Sequence, residues 1–145
     1  MIKNALLILS TFVTFYVNPN ARAMDTDINF IFGTAFLAQI CHIDFSTPTT
    51  ARKNCSPLLG AGGNYTIKNK NINETFCISV LSWPIIIPVL TEYYFKIDKN
   101  ENAKIEMWGA SVNPQYQYSD SISLIESKTI PAANNYCANI PSIIY

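Results

Sequence analysis

The chain has 145 residues, ten basic against ten acidic, one histidine and four cysteines, with 49% hydrophobic and 14% charged residues. Disorder needs low hydrophobicity and a high net charge, and this composition has neither. No excess of cations exists to release counterions from phosphates, so the composition also argues against a nucleic-acid partner.

The first expected element is an export signal. Lys3 supplies a positive start, residues 5–17 form an apolar run of 13, and Asn18-Pro19-Asn20 breaks it before Ala21-Arg22-Ala23. Small residues at Ala21 and Ala23 match the A-x-A rule of signal peptidase and place cleavage before Met24. An uncleaved anchor needs roughly 20 apolar residues to span the hydrocarbon. A lipoprotein needs a cysteine directly after the apolar run, and the first one is Cys41. The sequence therefore predicts a cleaved signal peptide over 1–23 and a single exported β-rich domain over 24–145, periplasmic, secreted or at the cell surface, with no membrane span after cleavage. Loss of Lys3 and Arg22 leaves 122 residues with an excess of two acidic groups. A chain of that size buries about two thirds of its unfolded surface, enough for one core.

Residues 28–45 read two ways. Ile28, Phe32, Ala35, Phe36, Gln39, Ile40 and Ile43 share a helical face, whereas Leu37, Cys41, Ile43 and Phe45 share a strand face. Gly60-Ala61-Gly62-Gly63 is a turn that lacks the Lys-Ser/Thr of a phosphate loop. A hairpin is expected from 65–68 through an Asn- and Lys-rich turn at 69–73 into 75–80. A second runs from 89–97 through the polar turn 98–102 into 103–107, both arms alternating apolar with polar. Residues 89–97 also carry a helical face, but β-branched and aromatic content favours a strand. Alternation returns at 115–124, which reads as one strand with a hydroxyl-rich face. The fold class is mainly β, a small sandwich or OB-like barrel with at most one short helix, stapled by disulfides.

All four cysteines, Cys41, Cys55, Cys77 and Cys137, fall in the exported part, with gaps of 14, 22 and 60. Zinc sites cluster their ligands in short spacings, so these gaps point to two disulfides and no metal. Three pairings are open; the strand reading leans towards Cys41 with Cys137 and Cys55 with Cys77, with Cys41–Cys77 and Cys55–Cys137 as the rival.

Catalysis has little to work with. His42 is the single histidine, so a small hydrolase would have to use it as the base, with Asp44 two residues on; no nucleophile accompanies it and no cofactor is implied. Asp98, Glu101 and Glu106 stand among Lys96, Lys99 and Lys104 and read as a solvated turn. Trp108, Tyr116 and Tyr118 lie in a stretch rich in Ser, Asn and Gln, and flat aromatic surface beside amides and hydroxyls suits a glycan or a protein partner. Sequons at Asn54, Asn64 and Asn73 are no more frequent than the Asn, Ser and Thr content produces, and an A-x-A site of bacterial type leaves them unmodified.

Two segments resemble known families. Asp27-Ile28-Asn29-Phe30-Ile31-Phe32-Gly33 followed by Cys41-His42-Ile43-Asp44 is similar to the start of chaperone–usher fimbrial subunits, which implies a structural assembly subunit completed by a neighbour's strand. Phe76-Cys77-Ile78, then Trp83, a helix over 89–97 and a strand over 104–107, resembles the B subunits of pertussis-like AB5 toxins, which implies an oligomeric, glycan-binding OB-fold. The residues themselves point first to a non-catalytic binding module of a bacterial cell, with Trp108, Tyr116 and Tyr118 as the contact surface and homo- or hetero-oligomers as an open state.

Overall fold

The computed structural model describes residues 24–44, 52–82, 89–131, 137, 138 and 140. The expected signal segment and Trp83 lie outside them. Eight strands form: β1 Met24–Asp44, β2 Arg52–Cys55, β3 Asn64–Lys70, β4 Thr75–Ser82, β5 Val89–Ile97, β6 Ala103–Ala110, β7 Asn113–Tyr118 and β8 Ile122–Pro131. No helix occurs among the described residues, so the ambiguous 28–44 is strand. Val89–Ile97 is strand too, which removes the helix on which the toxin resemblance rested.

The frame is β1. Its first half pairs antiparallel with β3 and parallel with β6, Ile28 lying between Tyr65 and Ile105. Its second half pairs antiparallel with β2 and β4, Cys41 lying between Cys55 and Cys77. Beyond these, β7 extends the first sheet from β6, while β5 and β8 extend the second from β4. The first sheet is thus β3-β1-β6-β7 and the second β2-β1-β4-β5-β8, sharing one strand. Their inner faces build one core: Ile28, Phe30, Ile67, Ile105 and Met107 from the first, Phe36, Ala38, Ile40, Phe76, Ile78, Val80 and Phe95 from the second. Each of these side chains larger than Ala38 contributes about 1.5–3 kcal/mol of burial.

Both expected hairpins are corrected, although their arms are strands. β3 pairs with the first half of β1 and β4 with the second; β5 lies between β4 and β8, and β6 between β1 and β7. The polar turns cross from sheet to sheet instead of folding back. Hydrogen bonds tie these crossings together: Asn73 N donates to Ile97 O at 2.8 Å and Ile97 N to Glu74 O at 3.0 Å, while Asp98 N and Lys99 N both donate to Ser121 O at 2.9 and 3.2 Å. The expected single strand 115–124 is also two strands, β7 and β8, in different sheets with Ser119–Ser121 crossing between them. Consecutive strands that do pair antiparallel are β1–β2, β4–β5 and β6–β7; the last has a two-residue loop, Ser111 and Val112, with Gly109 at φ +88°, a conformation only glycine adopts easily. The glycine run is backbone geometry as expected: Phe30 N donates to Gly63 O, and a Cβ on Gly63 would lie 2.9 Å from Gly60 O.

All four cysteines are oxidised, as Cys41–Cys55 and Cys77–Cys137. The favoured pairing, Cys41–Cys137 with Cys55–Cys77, is overturned, and so is its rival. Cys55 and Cys77 are on strands flanking β1 on opposite sides, about two strand spacings or 9.6 Å apart, beyond the roughly 7 Å that a disulfide can span. Cys41 and Cys55 face each other in register with Cα atoms 4.1 Å apart.

Loop closure predicts unequal contributions. Closing the 14-residue separation of Cys41–Cys55 removes about 3 kcal/mol of unfolded-state entropy and the 60-residue separation of Cys77–Cys137 about 4 kcal/mol. Non-reducing peptide mapping is expected to return these two pairs, and denaturant melts to show Cys77→Ser with Cys137→Ser as the costlier double substitution.

Candidate functional site

The outer face of the first sheet is where side chains meet solvent without a covering element among the described residues. β6 sends Ala103, Ile105 and Met107 inward and Lys104, Glu106 and Trp108 outward. Register places Gln117 and Gln115 of β7 opposite Glu106 and Trp108. On the other flank Asn29 and Asp27 of β1 stand opposite Glu106 and Lys104, and beyond them Asn64 and Thr66 of β3. The result is a block of amides, carboxylates and one half-buried indole.

Its charges are mutually satisfied. Lys104 Nζ lies 2.6 Å from Glu106 Oε1, and Gln117 Nε2 donates to Glu106 Oε2. The hydrogen bond from Lys104, then that from Gln117, holds the Glu106 carboxyl below its ordinary value of 4.5. Lys68 Nζ reaches Asp25 Oδ2 at 2.7 Å, and Thr66 Oγ1 donates to Asp27 Oδ1 at 2.6 Å. An open depression of about 240 Å³ is lined by Lys104, Glu106, Gln117, Tyr118 and Ser119. That is smaller than the usual enclosed small-molecule pocket of about 300–1,000 Å³, and its shallowness suits a ligand laid on the sheet.

The three aromatics expected to share a surface do not share one. Trp108 is on the outer face, but Tyr116 and Tyr118 face inward, opposite Met107 and Ile105. Tyr116 and Tyr118 stack at 6.2 Å; Tyr116 packs edge-on against Tyr93 at 5.2 Å and Tyr118 against Phe95 at 5.5 Å. Tyr118, at the end of an edge strand, remains 42% exposed and reaches the rim of the depression. The two-residue loop sets this parity: it pairs Ala110 with Asn113, so even outward positions on β6 meet odd outward positions on β7, and the even-numbered Tyr116 and Tyr118 fall on the inner face. Burial pushes the Tyr93 phenol up to about 12, with the neighbouring Tyr116 adding to the shift.

His42 points into the sandwich, 7% exposed, its ring 6.5 Å from that of Tyr65. Cys41 beside it is in a disulfide on the other face.

On the outer face of the second sheet, Glu92 is buried and accepts from Cys137 N at 2.7 Å and Tyr94 Oη at 2.5 Å, while Ser79 Oγ lies 3.1 Å from Cys137 Sγ. Cys77, Glu92 and Cys137 place ligand atoms within 4.8 Å of one another. Both sulfurs are committed to a disulfide, so this group works as a latch on the turn at Cys137, where φ is 53°. Nothing in the sequence signalled it, because Glu92 looks like any polar position in an alternating strand.

No protein-family model matches the chain, and no curated protein matches it in sequence. Among solved structures the chain is similar to pneumolysin (TM-score 0.43, 18% identity, 68% of this chain and 23% of that one). It is also similar to the membrane-binding domain of pneumolysin (TM-score 0.40, 15% identity, 68% and 96%) and to the human-specific toxin intermedilysin (TM-score 0.38, 15% identity, 66% and 23%). The chain therefore spans about a quarter of the whole toxins it is compared with. No helix among the described residues is long and apolar enough to cross a membrane.

Opposite facing predicts opposite effects of truncation. Tyr116→Ala removes ring contacts to Tyr93 and Phe95 and is expected to cost about 2 kcal/mol in denaturant melts, while Trp108→Ala changes stability by less than about 0.5 kcal/mol. Alkaline titration followed at the tyrosinate absorbance is expected to show a component near pH 12 that is lost in Tyr93→Phe. Its raised value means that stability is full below pH 10 and falls as pH climbs from 10 towards 12.

Proposed function

We propose that this protein is an exported, non-catalytic binding module that contacts glycans through the outer face of its first sheet. Export rests on the signal pattern of residues 1–23 and the four cysteines beyond it. The observation that carries the contact surface is the block of Trp108, Gln115, Glu106 and Gln117 on two neighbouring strands of a face that no described residue covers. An indole supplies apolar area for the C–H face of a sugar ring at little entropic cost. The amides and the carboxylate beside it supply donors and acceptors that fix orientation. Tyr118 adds its exposed edge at the rim, whereas Tyr116 supports the site from the core.

The test is binding to an immobilised glycan panel. Trp108→Ala is expected to reduce binding about tenfold or more, the loss of one stacked anchor, with an unchanged melting temperature. Because Glu106 is held ionised below its ordinary 4.5, binding should be constant from pH 7 to about 4.5 and decline only below. Capture of proteins but no glycan through the same indole would move the reading to a protein partner. Oligomers that survive dilution, with binding indifferent to Trp108, would replace it with the fibre-subunit alternative.

A further inference from the structure

Asn64, Asn29, Glu106 and Gln117 are successive register partners on β3, β1, β6 and β7. They form one row that crosses the four strands of the first sheet on its outer face, with Asn64 and Gln117 exposed and Asn29 and Glu106 half-buried. From this row we infer that the ligand is a neutral, linear, β-1,4-linked oligosaccharide lying across the strands, one sugar unit per strand. The inference rests on the glycan-binding reading above and names its substrate class.

Spacing, hydrogen-bond chemistry and charge all lead there. Neighbouring strands are about 4.8 Å apart, and a β-1,4-linked hexose chain repeats at about the same interval, so each strand meets one ring. Strands rotate by about 20–25° from one to the next, a twist that the two torsions of each glycosidic link can follow. The amides of Asn64, Asn29 and Gln117 both donate and accept, as sugar hydroxyls do, so those three positions can hold a hydroxyl in either sense, while the Glu106 carboxylate accepts from one. The cations of this face are already paired, Lys104 with Glu106 and Lys68 with Asp25. An acidic sugar would therefore meet no free positive charge, while an uncharged one leaves those pairs intact. A peptide strand is a poorer occupant, because it needs the unpaired N–H and C=O groups of a sheet edge, and β1 and β6, in the middle of the row, are paired on both sides. Trp108 lies next to Glu106 along β6, so the row has an aromatic anchor at its β6–β7 end and only amides at its β3–β1 end.

That asymmetry sets the experiment: titration calorimetry of the disulfide-intact protein with β-1,4-linked glucose oligomers of increasing length. Affinity is expected to rise about tenfold in total from two units to four and then stay level. Asn64→Ala, far from the indole, should lower the affinity for four units about threefold, to that for three, and leave two units unchanged. Equal affinity for two and four units, or an Asn64→Ala protein with the full length dependence, overturns the row while leaving the Trp108 contact in place. So does the absence of binding to any of these oligomers when another glycan binds through Trp108. Glycan binding that survives Trp108→Ala, or no glycan binding at all, overturns the underlying reading as well.

Discussion

One strand that belongs to both sheets is the constraint on which the rest depends. β1 runs for 21 residues, pairs with four other strands and contributes inward residues to both halves of the core. Phe30 and Phe36 meet edge to face at 6.0 Å, one from each half, so the strand packs against itself through the sandwich. A register slip by one residue would turn Ile28, Phe30, Ala38 and Ile40 outward together. Both sheets would lose their inner face at once. The β6 pairing shifts register between Phe30 and Thr34 and runs on to Ala35, and the β4 pairing begins at Phe36, where the strand passes from one sheet to the other.

The crossings at one end follow from that sharing. Once β1 has paired with β3 on one half and β4 on the other, the turn between β3 and β4 must bridge the sheets. The same holds for β5 to β6 and β7 to β8. Polar turns there satisfy one another: Ser121 O takes two backbone N–H groups, and Ser119 N donates to Lys104 O at 3.0 Å while Ser119 Oγ accepts from Lys104 N at 3.0 Å. The last of these contacts sits at the edge of the depression, so the turn that joins the sheets also fixes the backbone at Lys104, two residues from Glu106.

Local structure was readable in the sequence and spatial partnership was not. Alternation at 103–107 and 89–97 correctly announces strands with Ile105 and Phe95 inward, because a pleated strand half-buried in a sandwich leaves that period in any sequence. The same alternation is indifferent to whether the following turn folds back or crosses over, so two hairpins were expected where neither exists. At 115–124 the period runs unbroken through a crossing, which hides the boundary between β7 and β8. The cysteine pairing failed for the same reason: it depends on β2 and β4 lying on opposite sides of β1. Trp108 does lie on the outer face among polar neighbours, but whether Tyr116 and Tyr118 join it there depended on the length of one turn. Reading Ser111 and Val112 as a two-residue loop would have supplied that parity.

Glu92 and Glu106 show how the two outer faces divide the work. Each projects from the outer side of a central strand, and each has a lysine nearby in register or sequence, Lys128 for one and Lys104 for the other. Over Glu92 the chain returns with Cys137 and Ile140, and the carboxylate is used up on the Cys137 N–H and the Tyr94 hydroxyl. Burial of that charge is tolerable only because both oxygens are satisfied, and the Cys77–Cys137 disulfide keeps the covering turn in place. Over Glu106 no described residue returns, and its partners are a lysine and an amide at the surface. Glu106 is paired at both oxygens as Glu92 is, but its partners stand at the surface and not beneath a returning turn of the described chain. The two sheets therefore differ in whether a described residue covers their outer polar side chains, and that difference, more than any single residue, supports the proposed contact surface on the first sheet.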